Sequence, residues 1–499
     1  MKCQHISSLS AALCLGLVAA QAGCSDNSNP GGGGNVTPPP PADMAMPADL
    51  QVDNPDLTMD NPTKDPPELT AVMPAMGPTS GGIPVTLNGQ NFVAGSRVSF
   101  ADAEANGVKV VSKTQLDVTL PPNLGAWGKV AVKVSLPSGQ SVSRSDLFGY
   151  YASRVEFGAP TPFDAAASPV ALAVADLNGD KMDDVVAVNN GADSVSVLLS
   201  KGKGDFEQGK AYAVGKEPLA LRLVDLNGDA KLDLVVANSY TNNISVLLGK
   251  GDGTFDAAKN VALGGAPSAL AIADFTGDAK TDVAVSTSDT GKVYILPGKG
   301  DGTFDTTAIT TTSGFARPMA LHATDISGDM KADLLVASYG SGTVGVLLGK
   351  GDGTFQTPTS VAVENAPLWV GIADVDGDKK GDLLATNSGS ASVSVALGNG
   401  DGTFKDPKSI ATGGGPNSAA ISDFNGDGII DLAVASYDDG VITVLLGKGD
   451  GTFPTTVKAT ASAGLFSVAA DDFTGDGKPD LVVANRSTGR VLVLSNNSQ

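Results

Sequence analysis

One nine-residue pattern recurs seven times in this 499-residue chain, with Asp at its first, fifth and ninth positions. The copies begin at Asp176, Asp225, Asp274, Asp325, Asp374, Asp423 and Asp472, 49 residues apart except for one interval of 51. Seven copies at one period point to a repeat architecture, in which each unit buries its apolar face against the next. Each copy holds an apolar run ending at the Asp loop, a second run such as Leu234-Val235-Val236-Ala237, and a third such as Ile244-Ser245-Val246-Leu247-Leu248. A Gly-Lys-Gly-Asp-Gly-Thr-Phe turn and a fourth run follow. With 62 glycines and only 5% aromatic residues, short strands joined by many turns fit better than helices. Four strands in about 50 residues make a propeller blade.

The seventh copy stops after its third run, Val491-Leu492-Val493-Leu494. At the other end, Arg154-Val155-Glu156-Phe157 precedes the first copy with no blade of its own. This segment is predicted to pair with the last blade, within residues 154–163, and to remove the two edges of an open array.

The loops carry oxygen side chains at positions 1, 3, 5 and 9. These are Asp176, Asn178, Asp180 and Asp184; Asp225, Asn227, Asp229 and Asp233; Asp274, Thr276, Asp278 and Asp282; Asp325, Ser327, Asp329 and Asp333. The last three loops offer Asp374, Asp376, Asp378 and Asp382; Asp423, Asn425, Asp427 and Asp431; Asp472, Thr474, Asp476 and Asp480. A hard cation takes six to eight oxygens, and Ca2+ is the expected cofactor, structural and up to one per blade. Gly at position 4 lets the chain curl. It is not an EF-hand, because the Gly common to all seven loops is at position 4 and no Glu stands at position 12. The Thr and Ser loops are expected to be the weaker sites. The alternative is an Asp-rich turn held by its own hydrogen bonds.

The repeats resemble the FG-GAP/VCBS repeat of integrin-α-like propellers, over residues 154–499. The resemblance implies a seven-bladed β-propeller that takes its ligands at the end opposite the Asp loops.

Residues 68–151 alternate apolar and polar between Gly and Pro turns. Met73-Pro74, Gly77-Pro78, Gly81-Gly82, Asn88-Gly89-Gln90-Asn91-Phe92 and Phe148-Gly149-Tyr150 resemble the IPT/TIG domain, which implies an immunoglobulin-like sandwich. The expected fold class is therefore all-β: a disordered tether (residues 24–67, rich in Pro, Gly and Asp), a sandwich and a propeller. Residues 1–23 read as a signal peptide with a short apolar stretch. Ala22-Gly23-Cys24 resembles the lipobox of bacterial lipoproteins, which implies lipidation of Cys24 and an exported, envelope-anchored protein. The alternative is an ordinary secretory signal. All three cysteines lie in this segment, so no disulfide framework is available to the folded part.

The glycine turn is not a phosphate loop, since no helix follows it. Its Phe is expected to pack between blades. Three residues before each Asp loop the side chain is small, as in Ala173, Ala271, Gly371, Ala420 and Ala469. Arg222 and His322 break that rule. They are expected to be polar groups of the central channel or ligand contacts.

A net charge of −21 argues against nucleic acid as a partner. The expected role is a lipid-anchored, calcium-stabilised, monomeric cell-surface binding or adhesion protein without catalysis. Its partner would be a surface protein or a glycan, at a face holding Tyr240, Tyr339, Tyr437 and Trp369. The alternatives are a lectin and, less favoured, a polysaccharide-degrading enzyme.

Overall fold

The computed structural model describes residues 65–499 apart from Ala126 and Ala308. The expected signal peptide (residues 1–23), Cys24 and nearly all of the expected tether (residues 24–67) lie outside the described residues. No described helix is long and apolar enough to cross a membrane.

The first unit is a two-sheet sandwich. One sheet has four strands, among them Glu68–Met73, Pro84–Gln90 and Gln115–Thr119; the other has five, built around Gly128–Ser135 and Ser141–Tyr151. Alternation along Pro84–Gln90 and Gln115–Thr119 sends Val85, Leu87, Leu116 and Val118 inward, against Phe100, Phe148 and Tyr150. Tyr150 is fully buried, and its hydroxyl donates to Pro121 O at 2.9 Å.

The second unit is a ring of seven four-stranded antiparallel sheets, a seven-bladed β-propeller. Blade two is typical: Pro218–Val224, Asp233–Asn238, Asn243–Leu247 and Lys259–Ala262. In six blades the innermost strand opens on Pro, a position where the missing N–H costs no ladder bond. The second strand of every blade begins at the ninth loop residue and is buried throughout, as in Asp233–Asn238. Its alternate side chains enter the cores on either side of the blade. Val235 packs against blade three, while Leu234 and Val236 pack against blade one. The turn phenylalanines do join blades: Phe255 sits with Val186 and Val188 of blade one.

Blade seven consists of Leu465–Asp471, Asp480–Asn485 and Arg490–Leu494, with Thr161–Asp164 as its outer strand. The ring therefore closes as expected, but the sheet strand lies at the C-terminal end of the predicted segment. Residues Arg154-Val155-Glu156-Phe157 have a different part. They bond to the chain's last residues, with Arg154 and Gln499 exchanging two backbone hydrogen bonds at 2.9 Å and Phe157 bridging Asn496. The same bridge joins Gly249 to Phe255 in blade two. Phe157 thus replaces the turn phenylalanine of the seventh blade, and it stacks edge-on to Phe424 of blade six.

The sandwich touches the propeller at the Asp loops of blades six and seven. Ala152 N donates to Asn425 O at 2.6 Å. Thr79 and Ser153 share a hydroxyl hydrogen bond, and Ser153 Oγ also donates to Gln499 O. The Trp127 ring lies against Gly426, where an added Cβ would come within 2.9 Å of it, and Lys478 Nζ stands 5.4 Å from the ring centre.

Candidate functional site

The seven Asp loops share one geometry. The first Asp accepts the backbone N–H of position 4 at 2.6–2.8 Å on one oxygen. Its other oxygen accepts the N–H of position 6 at 2.7–2.9 Å. Winding both N–H groups onto one carboxylate requires two left-handed residues. Position 4 has φ of 73–81°, as its Gly suggests. Position 6 has φ of 61–83°, yet five loops place Lys, Ala or Met there, at a conformational cost of about 1 kcal/mol each.

The ninth Asp has a different role in the same loop. Asp184, Asp233, Asp282, Asp333, Asp382, Asp431 and Asp480 are all fully buried. One oxygen accepts a loop N–H at 2.8–3.0 Å, from position 2 in six loops and from position 3 in the seventh. The other accepts, at 2.7–2.8 Å, the N–H of a residue sixteen positions on, which opens the glycine turn or its counterpart. Each ninth Asp therefore ties its loop to the turn of its own blade. That turn in turn donates to the preceding blade: Gly253 to Leu177 O, Gly302 to Leu226 O, Gly353 to Phe275 O, Gly451 to Val375 O and Gly204 to Phe473 O. Blade seven reaches blade six through Asn496 Nδ2 to Phe424 O at 3.0 Å. Such bonds join six of the seven neighbouring pairs of blades at one end of the ring, all but blades four and five among the described residues.

Burial pushes these ninth carboxyls up. Asp431 rises to about 7, and Asp184 and Asp480 to about 6, against the backbone hydrogen bonds that favour ionisation. The neighbouring loop carboxylates push in the same direction as burial.

The middle positions divide the loops. The fifth-position Asp229, Asp278, Asp329, Asp378 and Asp476 each stand 3.0–4.0 Å from a lysine at position 7, Lys231, Lys280, Lys331, Lys380 or Lys478. In the first and sixth loops position 7 is Met182 or Ile429, and Asp180 and Asp427 accept from the amides of Asn178 and Asn425 instead. The position-7 lysines are plain in the sequence, at fixed spacing after the Asp, although the loop pattern alone gave no reason to single them out. Thr276 donates its hydroxyl to Asp282, Thr474 donates to Asp472, and Ser327 N donates to Asp333. Only in the fifth loop do three carboxylates gather: oxygens of Asp374, Asp376 and Asp382 all lie within 4.8 Å of one another. Among the described residues this is the one such acidic cluster, and its donor set suits a hard, oxygen-seeking cation.

The opposite end of the ring is irregular. Tyr240 is 67% exposed with Lys216 Nζ 5.9 Å from its ring centre, and Arg317 lies 4.7 Å over Tyr339. Tyr437 meets Phe466 edge-on, and Arg486 covers Phe466. The three tyrosines sit in equivalent turns of blades two, four and six, so each has its own neighbours and they do not form one pocket. Trp369 is not with them. It is half-buried on the inner strand of blade five, in the core shared with blade six. Its indole folds over Gly371, where a Cβ would come within 2.5 Å, which gives a local reason for the small residue there.

These features agree with the family comparisons. The FG-GAP-like repeat model matches six overlapping windows, 176–236, 225–285, 274–336, 325–385, 374–434 and 423–483. The chain belongs to the FG-GAP-like repeat family. The IPT/TIG domain model matches residues 67–150. Among solved structures, an auxiliary nutrient binding protein from Bacteroides ovatus is similar, with 15% identity, a TM-score of 0.43, and coverage of 88% of this chain and 99% of that one. BBS1N in complex with ARL6DN gives 13% identity and a TM-score of 0.50, covering 68% of this chain and 96% of that one. Among curated proteins, Protein MGA2 of Saccharomyces cerevisiae is 38% identical over 80 residues, which is 16% of this chain and 7% of that protein. At 13% identity, the likeness to BBS1N carries the fold and not the function.

Proposed function

We propose that this FG-GAP propeller is a calcium-stabilised, lipid-anchored surface protein that binds a surface protein or glycan and performs no catalysis. The observation that carries the reading is the division of labour between the two ends of the ring. At one end the ninth carboxylates, buried and bonded on both oxygens, tie loop to turn in every blade. At the other end, one exposed ring, Tyr240, and the half-buried rings of Tyr339 and Phe466 stand beside cations and vary from blade to blade, which is the composition of a recognition face. Calcium would be held first by Asp374, Asp376 and Asp382, and it would neutralise a cluster whose charges otherwise repel.

The test is a glycan array and a surface-protein binding screen, each run with calcium and with EDTA. Calcium-dependent binding that falls at least tenfold when Tyr240, Tyr339 and Tyr437 are changed together to Ala supports the reading. Binding untouched by that triple change places the site elsewhere. A signal confined to the glycan array would make the protein a lectin.

A further inference from the structure

The axis of the ring holds a cation with no counter-charge. Arg222 projects from the inner strand of blade two, Pro218–Val224, and His322 from that of blade four, Pro318–Thr324. Arg222 Nη1 donates to Leu221 O at 2.8 Å, and Nη2 reaches Leu321 O at 3.5 Å. The second contact skips blade three, so the guanidinium must cross the space enclosed by the inner strands. It arrives one residue from His322, and the two groups feel each other: burial first and Arg222 second hold the imidazole down at about 4. Burial alone lowers Arg222, to about 10; no carboxylate contributes. Only two of the five guanidinium donors have a protein partner. Neither ring nitrogen of His322 has a hydrogen-bond partner among the described residues. Both side chains are half-buried, so solvent still reaches them. The contact from blade two to blade four places them in the space enclosed by the inner strands.

An enclosed arginine without an acid is costly unless an anion joins it. In a chain with net charge −21, 54 acidic residues were available to supply one, and none stands beside this guanidinium. The free donors point to a ligand that brings its own negative oxygens. Arginine's planar fork matches a carboxylate or phosphate in two-point contact, and the neutral imidazole adds one further N–H.

We infer that Arg222 and His322 form an axial binding site for a small oxyanion, a carboxylate or phosphate group. The inference is independent of the tyrosine face and of calcium at the Asp loops.

The chain has only two histidines, His5 and His322, so the imidazole is a near-unique reporter. The full chain, labelled with carbon-13 histidine, is titrated by NMR with inorganic phosphate, with acetate and with chloride at matched ionic strength. His322→Gln assigns the resonance. The expected result is a saturable shift of the His322 signal with phosphate or acetate, absent with chloride and absent in Arg222→Met. The phosphate and acetate arms decide which oxyanion is preferred. Arg222→Lys keeps the charge but not the fork; it should fold even if the methionine variant does not, and should weaken the midpoint at least tenfold. No saturable shift in the wild type overturns the inference, as does a shift that survives unchanged in Arg222→Met or Arg222→Lys.

Discussion

Asp382→Ala separates the two roles that one loop combines. Its oxygens accept the N–H groups of Val375 and Gly398, both at 2.8 Å and both buried. Truncation leaves two buried donors unpaired, at about 1–3 kcal/mol each. Burial raises the Asp382 pKa, so some desolvation cost disappears with the carboxylate. A net loss of roughly 3 kcal/mol is a fair central value. For a ring of about 345 residues, 154–499, an unfolding entropy near 2.1 cal/mol/K per residue gives about 0.7 kcal/mol/K, hence a drop in Tm of roughly 4 °C. Asp376→Ala is the partner experiment. Asp376 Oδ1 accepts only the Asp378 N–H, at 3.2 Å, and its removal relieves repulsion in the three-carboxylate cluster. In EDTA its Tm should stay within about 1 °C of the parent, as expected for a polar change away from the core. In millimolar calcium the order changes: the parent gains stability and Asp376→Ala gains less. Calorimetric melts of the three proteins, with EDTA and with calcium, give the answer. Equal losses for both variants in EDTA would refute the tie between loop and turn. An unreduced calcium gain in Asp376→Ala would remove calcium from the fifth loop.

Two further outcomes follow from the same geometry. Asp431 has its pKa raised to about 7, and Asp184 and Asp480 to about 6, so the stability linked to them is full below about pH 4 and is lost as pH rises through 6 to 7. In EDTA the Tm should therefore fall between pH 5 and pH 8, with Asp431 alone worth roughly 2–3 kcal/mol over that span, and calcium should flatten the fall by favouring the ionised forms; a Tm that rises over this range in EDTA would contradict the buried-carboxyl account. Trp127→Ala removes the ring that covers Gly426 and faces Lys478, at a cost of roughly 1–2 kcal/mol for a cation–π contact and its packing. Hydrogen exchange should rise at Ala152 and in the sixth Asp loop and stay unchanged in blades two to four, whereas uniform exchange would mean that the sandwich and ring are not held together there.

Much of the architecture was legible because it is periodic. A fixed spacing, a Gly that must curl the chain and an apolar run on either side recur seven times, so one correct reading of blade two is a reading of the ring. The closing strand was only half legible. The missing fourth strand was evident by count, but its register was not. Thr161-Pro162-Phe163-Asp164 pairs with blade seven through backbone groups, to which Pro162 contributes no N–H. The residues that looked more strand-like, Arg154-Val155-Glu156-Phe157, replace the glycine turn instead.

The loop residues were found by pattern, and their individual roles could not be. Position 1 and position 9 are both Asp, and sequence treats them as equal oxygen donors. Only the fold shows that position 9 enters a buried second strand and meets an N–H sixteen residues away, while position 1 closes the loop on itself. The difference has a functional consequence. A carboxylate oxygen has two lone pairs, so a ninth Asp can hold its two backbone donors and still face a cation. If it does, the same oxygens couple ion binding to the bonds between blades and, through the sixth loop, to the seat of the sandwich at Ala152 and Trp127. Calcium would then stiffen the joint between the two domains as well as each blade. A ligand held at the far end would be presented at a fixed angle to the sandwich, an arrangement that seven isolated ion sites would not produce.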